Sequence, residues 1–463
     1  MNVLVAQDTI CALSTAPGLG AIAIIRVSGP DALEVVDSMF SKSLANKTKN
    51  GLYYGDLNDG DNLLDEVVIS VFRGPHSYTG ENTAEISCHG SPFIQQEIIK
   101  ALLDRDIRMA QPGEFTMRAF ANGKMDLSQA EAVADLIASE SAVSHDLALK
   151  QLRGGFSDEL ASLREKLIHF ASLIELELDF GEEDVEFADR QDLKDLVDEI
   201  KLVVKNLVDS FATGNAIKSG VPVAILGAPN MGKSTLLNAL LNEERAIVSE
   251  IAGTTRDTIE DTINIEGIQF RFIDTAGIRE TEDQIETIGI ERAWEKAQDA
   301  TLVIYLVDAS STSQEEIDAI RSTFTQNTDG NSNLLIVANK SDLGESLALK
   351  SAKAEQVIED SVALSISAKT DKGISELKSI LVSQINSGLS TDSTVVTNAR
   401  HYEALSNALA SLIDVRNGLD QDITGDFLAI DIRKALHHLG EITGEITTDD
   451  LLGNIFSRFC IGK

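Results

Sequence analysis

The sequence contains few cysteines, little positive charge and no long hydrophobic run. Three of its 463 residues are cysteine, and their scatter supports neither a zinc site nor a disulfide framework. We therefore expect a reducing, cytoplasmic setting. Residues 1–10 lack a basic segment followed by an apolar core, and no run approaches the ~18 apolar residues of a membrane span. Secretion and membrane insertion are both unexpected.

The shortage of basic residues excludes one class of function. The chain has 39 Lys and Arg against 74 Asp and Glu, which gives a formal net charge of −35. Proteins that coat nucleic acid through bulk charge need clustered cations to displace counterions from phosphates. A polyanion would therefore have to be bound by a local patch or through a partner. Because hydrophobic residues make up 43% and charged residues 24%, the composition indicates globular domains, about three at this length.

The first part of the chain, residues 1–123, is predicted to be an α+β domain. Its β-rich runs are short and are broken by Gly and Pro. Strands are predicted at residues 21–27, 67–72 and 84–88, and a helix at 93–103.

The hydrophobic period then changes to that of helices. Ser128 and Glu131 fit a capping box at a helix start. Apolar residues recur every three or four positions through residues 156–178 and 193–211, which predicts two long amphipathic helices. Helical periodicity returns after Ser393.

Between the two helical parts, strands and helices alternate. The strands are predicted at residues 222–227, 258–265, 270–274, 302–308, 334–339 and 362–365. Their near-continuous apolar runs are typical of parallel strands covered on both faces, so we predict a doubly wound sheet. We interpret residues 218–387 as a Ras-like α/β domain inserted into a helical bundle made of residues 124–217 and 388–463. The alternative is two separate helical pieces.

A phosphate-binding motif opens the α/β domain. Residues 227–234 read GAPNMGKS and lie between a predicted strand and a predicted helix. This is the GxxxxGK[ST] loop in its required context of strand, loop and helix. Its glycines let backbone amides converge on phosphates, Lys233 can reach the β and γ oxygens, and the Ser234 hydroxyl can ligate Mg²⁺.

Further motifs follow in the order that a GTPase needs. Residues 274–277, DTAG, end a strand where a carboxylate can hold Mg²⁺ through water. Asp342, in the NKSD motif, can accept hydrogen bonds from the guanine N1 and N2 hydrogens, which adenine lacks. Residues 367–369, SAK, suit backbone contact with the guanine oxygen. In the switch loop at residues 253–257, Thr255 is the predicted Mg²⁺ ligand. Together these motifs specify GTP over ATP.

The glutamine that orients water in many GTPases is absent, because Ile278 follows the DTAG motif. The acidic residues at 280–286 offer alternatives, between which chemistry alone does not choose: Glu280, Glu282, Asp283, Gln284 and Glu286. Arg256 and Arg279 could act as arginine fingers or form switch-loop ion pairs. Asn230 could instead hold a monovalent cation beside the β and γ phosphates.

At this point the chain resembles a known family, the MnmE (also called TrmE) tRNA-modification GTPases, over essentially its whole length. The C-terminal sequence FCIGK at residues 459–463 is the most specific part of the resemblance. The other segments that carry it are DTI at 8–10, residues 20–29, YTGE at 78–81, CHG at 88–90, PGEF at 112–115, DLSQAEA at 126–132 and GIERA at 289–293.

The resemblance implies a K⁺ ion bound by Asn230 and by backbone oxygens of Ser249, Ile251 and Thr254, which promotes transient pairing of two GTPase domains. It also selects Glu286 as the residue that positions water. The motifs and the resemblance together give these GTP-binding residues: Asn230, Met231, Gly232, Lys233, Ser234, Thr235, Ser249, Glu250, Ile251, Ala252, Gly253, Thr254, Thr255, Asp274, Thr275, Ala276, Gly277, Asn339, Lys340, Asp342, Ser367, Ala368 and Lys369.

The resemblance further implies that the N-terminal domain is similar to folate-binding one-carbon domains and forms a homodimer. Its contacts with 5-formyl- or methylene-tetrahydrofolate would come from Arg26, Glu85, Lys124 and the C-terminal Lys463. Cys460 matches the family's terminal cysteine, for which both a catalytic and a structural role are open.

We therefore hypothesise a K⁺-dependent GTPase that modifies tRNA. It would act as a homodimer with a flavoprotein partner of the GidA/MnmG type, in a heterotetramer. An aminomethyl or carboxymethylaminomethyl group would be built on C5 of the wobble uridine, with tetrahydrofolate supplying one carbon. The alternatives are a regulatory GTPase switch in ribosome or RNA assembly without nucleoside chemistry, and a folate enzyme acting on a small metabolite.

Overall fold

The computed structural model describes residues 8–44, 49–179, 190–242, 261–273, 294, 298, 300–328, 332–344, 364–386, 394–421, 423–457 and 459–462. The chain forms two compact units. The first comprises Met1–Ala138, Ala148–Lys201 and Asn407–Lys463, and the second comprises Ser139–Leu147 and Leu202–Ser406.

The N-terminal part of the first unit is built on a mixed sheet. Among the described residues its strand order is β3-β4-β5-β2-β1-β6, with neighbours antiparallel except for β1 and β6. The strands are β1 Ile10–Leu13, β2 Ile22–Ser28, β3 Gly51–Asp59, β4 Asn62–Phe72, β5 Thr83–His89 and β6 Arg108–Met109. Alternate residues Ala23, Ile25 and Val27 of β2 are buried, as the period of a strand requires.

Two helices, α1 (Ala32–Met39) and α2 (Pro92–Leu103), contribute Val36, Met39, Ile98 and other apolar side chains to the core that these strands form. The α+β arrangement predicted from the sequence is therefore confirmed, and the three predicted strands and the helix agree with it to within a few residues.

Arg118 is fully buried and is neutralised by carboxylates. Its Nη2 donates to Glu114 Oε1 at 2.9 Å and to Asp8 Oδ1 at 2.6 Å, and Arg108 Nη2 donates to Glu114 Oε1 at 2.7 Å. Burial raises the pKa of Glu114, but hydrogen bonds from Arg108, the Gln111 amide and Arg118 outweigh it, so the pKa lies below its ordinary value. A buried arginine needs such partners, because an uncompensated buried charge is strongly destabilising.

The helical part follows the periodicity in the sequence. Residues Leu160, Leu167 and Ile174 line the buried stripe of one long helix, and Leu193, Val197 and Val204 line that of the next. The helices are α3 Glu114–Ala121, α4 Leu127–Ala138, α5 Ala142–Leu152, α6 Gly155–Asp179, α7 Arg190–Ser219, α11 Ala399–Asp420, α12 Gly425–Thr443 and α13 Asp449–Phe456. Helix α12 packs along α6, although 245 residues separate them in the sequence. No helix in the described ranges is long and apolar enough to cross a membrane.

The start of α4 differs from the prediction. The predicted capping box of Ser128 and Glu131 is wrong, because the helix begins at Leu127. The reciprocal bonds are made two residues earlier in the pattern: Gln129 N donates to Asp126 Oδ1 at 2.8 Å, and Asp126 N donates to Gln129 Oε1 at 2.9 Å. Asp126 and Gln129 thus satisfy the free amides at the helix start.

The second unit contains the α/β sheet, whose strand order among the described residues is β12-β11-β10-β7-β9-β8. The strands are β7 Val221–Gly227, β8 Asp261–Ile265, β9 Ile268–Phe272, β10 Leu302–Asp308, β11 Asn333–Asn339 and β12 Leu364–Ser365. Helices α8 (Lys233–Asn242), α9 (Gln314–Asn327) and α10 (Ile374–Asn386) supply apolar residues to clusters on the sheet. Strands β12, β11, β10, β7 and β9 are parallel, which confirms a doubly wound fold.

The edge strand β8 is antiparallel to β9, a direction that the apolar run alone did not show. The turn between them is Glu266-Gly267, with φ of 50° and 83°. Two successive positive φ angles are typical of a tight hairpin turn, which forces the strands to run in opposite directions.

Candidate functional site

The phosphate loop lies at the carboxyl end of β7 and leads directly into α8. Three of its residues have positive φ: Gly227 at 142°, Asn230 at 64° and Gly232 at 88°. A Cβ on Gly227 would lie 2.6 Å from the Leu306 carbonyl oxygen, and a Cβ on Gly232 would lie 2.4 Å from Asn339 Nδ2. A side chain at Gly227 would have to move the backbone of β10, and one at Gly232 would displace the Asn339 amide.

The side chain of Lys233 turns back towards the backbone of the phosphate loop. Lys233 Nζ donates to the carbonyl oxygens of Gly227 at 2.7 Å and Ala228 at 3.1 Å. Burial lowers the pKa of the Lys233 ammonium. A phosphate bound here would supply the counter-charge, and the N-terminus of α8 adds a favourable dipole for an anion. Ser234 lies in the first turn of α8, where its hydroxyl is a hard oxygen ligand of the kind that Mg²⁺ prefers.

One buried side chain joins the phosphate loop to the loops that would bind the base. Asn339, 3% exposed at the end of β11, donates from Nδ2 to the Met231 carbonyl oxygen at 2.9 Å. Its Oδ1 accepts from the Ala368 amide at 3.0 Å. The phosphate loop is therefore held beside the NKSD motif and the SAK segment, although over a hundred residues separate it from them in the sequence.

The next residues of NKSD are also held in place. Asp342 Oδ1 accepts from Ser367 Oγ at 2.7 Å, which orients the carboxylate expected to recognise guanine. Lys340 has a φ of 66° and donates from Nζ to Asp308 Oδ2 at 2.9 Å. Lys369 is exposed beside them. No motif in the sequence points to Asp308, whose signal is only that an acidic residue ends an apolar strand.

Part of the predicted nucleotide site lies outside the described residues. This applies to Ser249, Glu250, Ile251, Ala252, Gly253, Thr254, Thr255, Asp274, Thr275, Ala276, Gly277 and Glu286. Their assignments stay predictions.

The predicted folate residues lie in the first unit. Arg26 and Glu85 are cross-strand neighbours on β2 and β5, and Arg26 Nε donates to Glu85 Oε1 at 2.9 Å. The guanidinium lies over the Tyr78 and Phe115 rings, at 5.3 and 5.5 Å from their centroids. Its Nη1 donates to the Gly462 carbonyl oxygen at 3.3 Å. The C-terminal tail is thus brought to the arginine.

Lys124 is the other described residue that is predicted to bind folate. Lys124 Nζ donates to the Pro75 carbonyl oxygen at 2.9 Å, and its stem passes beside Gly80, 3.4 Å from a Cβ placed there. Cys460 is exposed, and its carbonyl oxygen accepts from the Gly113 amide at 3.4 Å. Lys463 lies outside the described residues, directly after Gly462.

The doubly wound sheet, the phosphate loop between its strand β7 and α8, and the NKSD and SAK loops joined to it define a P-loop protein of the GTPase class. The family model described as "MnmE helical domain" matches residues 127–460, and that of the "GTP-binding protein TrmE N-terminus" matches residues 9–124. The chain belongs to the MnmE family.

Full-length relatives agree with this assignment. The tRNA modification GTPase MnmE of Christiangramia forsetii is 58% identical over 476 residues, which cover 99% of this chain and 99% of that protein. The proteins of the same name from Flavobacterium psychrophilum and Flavobacterium johnsoniae are 53% and 54% identical and align over 99% of this chain and 100% of their own length.

Proposed function

We propose that this chain is a K⁺-dependent GTP hydrolase that acts with a flavoprotein partner in tRNA modification. The product would be a C5-aminomethyl or carboxymethylaminomethyl group on the wobble uridine of certain tRNAs, built with a tetrahydrofolate one-carbon unit. The observation that carries the nucleotide part is the Asn339 side chain, which ties a phosphate loop to a guanine-reading loop in a chain of the MnmE family.

GTP would be held by the phosphate loop and the NKSD motif, which the structure describes, and by the switch loop, which lies outside the described residues. Lys233 would move from its own loop carbonyls to the β and γ phosphates, because a phosphate compensates its charge better than neutral oxygens do. The Ser234 hydroxyl, with Thr255 of the switch loop, would ligate Mg²⁺, which neutralises charge on the phosphates. Asp342 would accept from the guanine N1 and N2 hydrogens.

The hydrolytic residues are proposed from the family pattern. Asn230, exposed at the tip of the loop in a left-handed conformation, presents a carboxamide that fits a K⁺ ligand. Ser249, Ile251 and Thr254 would supply backbone oxygens. Glu286 would orient the attacking water, since no glutamine follows the DTAG motif.

The folate would bind in the N-terminal domain. Arg26 is a half-buried cation that could pair with a ligand carboxylate, and its neighbour Glu85 could accept from ring amino or amide hydrogens. Lys124 and Lys463 would complete the pocket. Cys460, exposed on the same tail, could act on that ligand as a thiol, although a lone cysteine is more often structural.

The partners follow from the same assignment and from charge. We propose a cytoplasmic homodimer that forms a heterotetramer with a flavoprotein of the GidA/MnmG type. A net charge of −35 makes tRNA binding by this chain alone weak and salt-sensitive, so the partner should supply most of the affinity. The domain boundaries at residues 123, 217 and 387 are part of this proposal.

Mass spectrometry of tRNA nucleosides tests the proposal. A strain that lacks the gene should lose the C5 modification of the wobble uridine, and a plasmid copy should restore it. Normal nucleosides in the deletion strain would exclude the modification role and favour a GTPase switch in RNA assembly.

A further inference from the structure

Asp308 lies at the junction of the strands that carry the base-binding loops. It is the last residue of β10 and is paired in register with Asn339 of β11. The Ala309 amide donates to the Asn339 carbonyl oxygen at 2.8 Å, so the two strand ends are fastened side by side. Asp308 therefore lies opposite Asn339, the residue directly before Lys340.

The two oxygens of this carboxylate have separate partners. Oδ1 accepts from the Ser310 amide at 3.0 Å and from the Ser310 hydroxyl at 2.6 Å, within the turn that follows β10. Oδ2 accepts from Lys340 Nζ at 2.9 Å. The Asp308 side chain is 15% exposed, and that of Lys340 is 32% exposed. Burial raises the pKa of Asp308, but the bonds from Ser310 and Lys340 outweigh it and hold the pKa below its ordinary value.

We propose that Asp308 is a positioning residue of the guanine site, which fixes Lys340 so that its alkyl stem forms one wall of the base pocket. The inference rests on the proposed GTP-binding function. A lysine side chain has four rotatable bonds and carries about 2 kcal/mol of rotamer entropy. An anchor at Nζ restricts those rotamers before the nucleotide arrives, and a preorganised wall binds a planar base more tightly.

The role differs from that of Asp342 in what it discriminates. Asp342 reads the hydrogen-bonding edge of the base, whereas a stem held against its face contacts any purine. Loss of Asp308 should therefore weaken the binding of GTP and the binding of ITP by the same factor, and it should not change which base the protein prefers.

The test is a double-mutant cycle on nucleotide affinity in the full-length protein, measured with a fluorescent GDP analogue. Asp308→Asn keeps an acceptor for Ser310 but turns an amide towards the ammonium, so it breaks the pair and leaves the turn. Lys340→Met keeps the stem without the charge. Ser310→Ala loosens the turn alone, and Asp318→Asn, on the exposed face of α9, controls for the loss of one acidic charge.

We expect Asp308→Asn to weaken GDP binding about fivefold to tenfold, because binding must then restrict part of the Lys340 rotamer freedom that the pair had already removed. In the Lys340→Met background the same change should have less than about a twofold effect, because the residue through which it acts has been altered. Ser310→Ala and Asp318→Asn should both stay within about twofold of the parent.

Three results would overturn the role of Asp308. The first is an equal loss of GDP affinity in the parent and Lys340→Met backgrounds, and the second is a loss in Ser310→Ala as large as that in Asp308→Asn. The third is tighter GDP binding by Asp308→Asn, which would mean that the ion pair must break before nucleotide binds. Failure of the guanine site itself is recognised separately. The Asp342→Asn variant should prefer xanthine nucleotides to guanine nucleotides. If it still preferred GDP, the proposed GTP-binding function would be contradicted, whatever the role of Asp308.

Discussion

Asn339→Ala should uncouple the phosphate loop from the base-binding loops. The side chain is 3% exposed and makes two hydrogen bonds to backbone groups of other loops, one to the Met231 carbonyl oxygen at 2.9 Å and one from the Ala368 amide at 3.0 Å. Alanine removes both bonds, so the Ala368 amide and the Met231 carbonyl oxygen lose these partners.

The magnitude follows from those two contacts. A lost hydrogen bond costs about 1 kcal/mol net, or about 1–3 kcal/mol where it leaves a buried partner unsatisfied, so one bond of each kind costs about 2–4 kcal/mol. We expect nucleotide binding to lose about 2–4 kcal/mol. Because 1.4 kcal/mol corresponds to a tenfold change, GDP affinity should fall about 30-fold to 700-fold.

Isothermal titration calorimetry with GDP measures this loss directly. Asn333→Ala, at the exposed start of the same strand, is the matched control and should bind GDP as the parent does. Thermal melting of both variants shows whether the sheet is intact. If Asn339→Ala bound GDP within about twofold of the control, the bridge would have no energetic role and the reasoning would be refuted.

Three further predictions concern other parts of the chain. Gly462→Ala puts a Cβ 2.3 Å from the Leu13 carbonyl oxygen, so the tail must shift; tetrahydrofolate affinity should fall about tenfold by calorimetry while GTP hydrolysis is unchanged. Glu114→Gln should cost about 2 kcal/mol of unfolding free energy at pH 7 by urea denaturation, since it weakens the charge balance of Arg118. Because the folded-state pKa of Glu114 lies below its ordinary 4.5, this stabilisation is complete above about pH 4.5 and is lost as pH falls through the folded pKa, so the difference between variant and parent should shrink in acid. Glu286→Ala should abolish GTP hydrolysis in a phosphate-release assay but leave GTP binding intact, and unchanged turnover would contradict its assignment.

The sequence predicted the α/β strands best where burial is on both faces. Strand β10 has the predicted bounds, because its continuous apolar run ends in the charged Asp308. The direction of β8 was not predictable from such a run; the informative signal was the Glu266-Gly267 turn, whose geometry fixes an antiparallel pair. At α4, the sequence pattern of Ser128 and Glu131 fits a capping box, but the helix begins at Leu127, and Asp126 and Gln129 make the reciprocal bonds.

In the candidate site, too, some residues could be predicted from the sequence and others could not. Motif residues such as Lys233 and Asn339 could be predicted, because phosphate and guanine recognition require particular groups at fixed spacing. Asp308 could not, since its contact with Lys340 depends on the parallel register of β10 and β11. The contact of Arg26 with the carbonyl of Gly462 joins residues 436 positions apart. No local pattern encodes it, and it agrees with the family resemblance, which sets Lys463 in the same pocket as Arg26.

The central claim is that nucleotide bound at this guanine site drives modification of tRNA. Asp342→Asn exchanges the carboxylate that accepts from guanine for an amide that can donate to the xanthine oxygen. The decisive measurement is modification of the wobble uridine by the purified Asp342→Asn protein with the proposed flavoprotein partner, in GTP or in XTP. The account predicts that XTP restores modification and that GTP does not. Modification supported equally well by GTP in the variant and in the parent would contradict it.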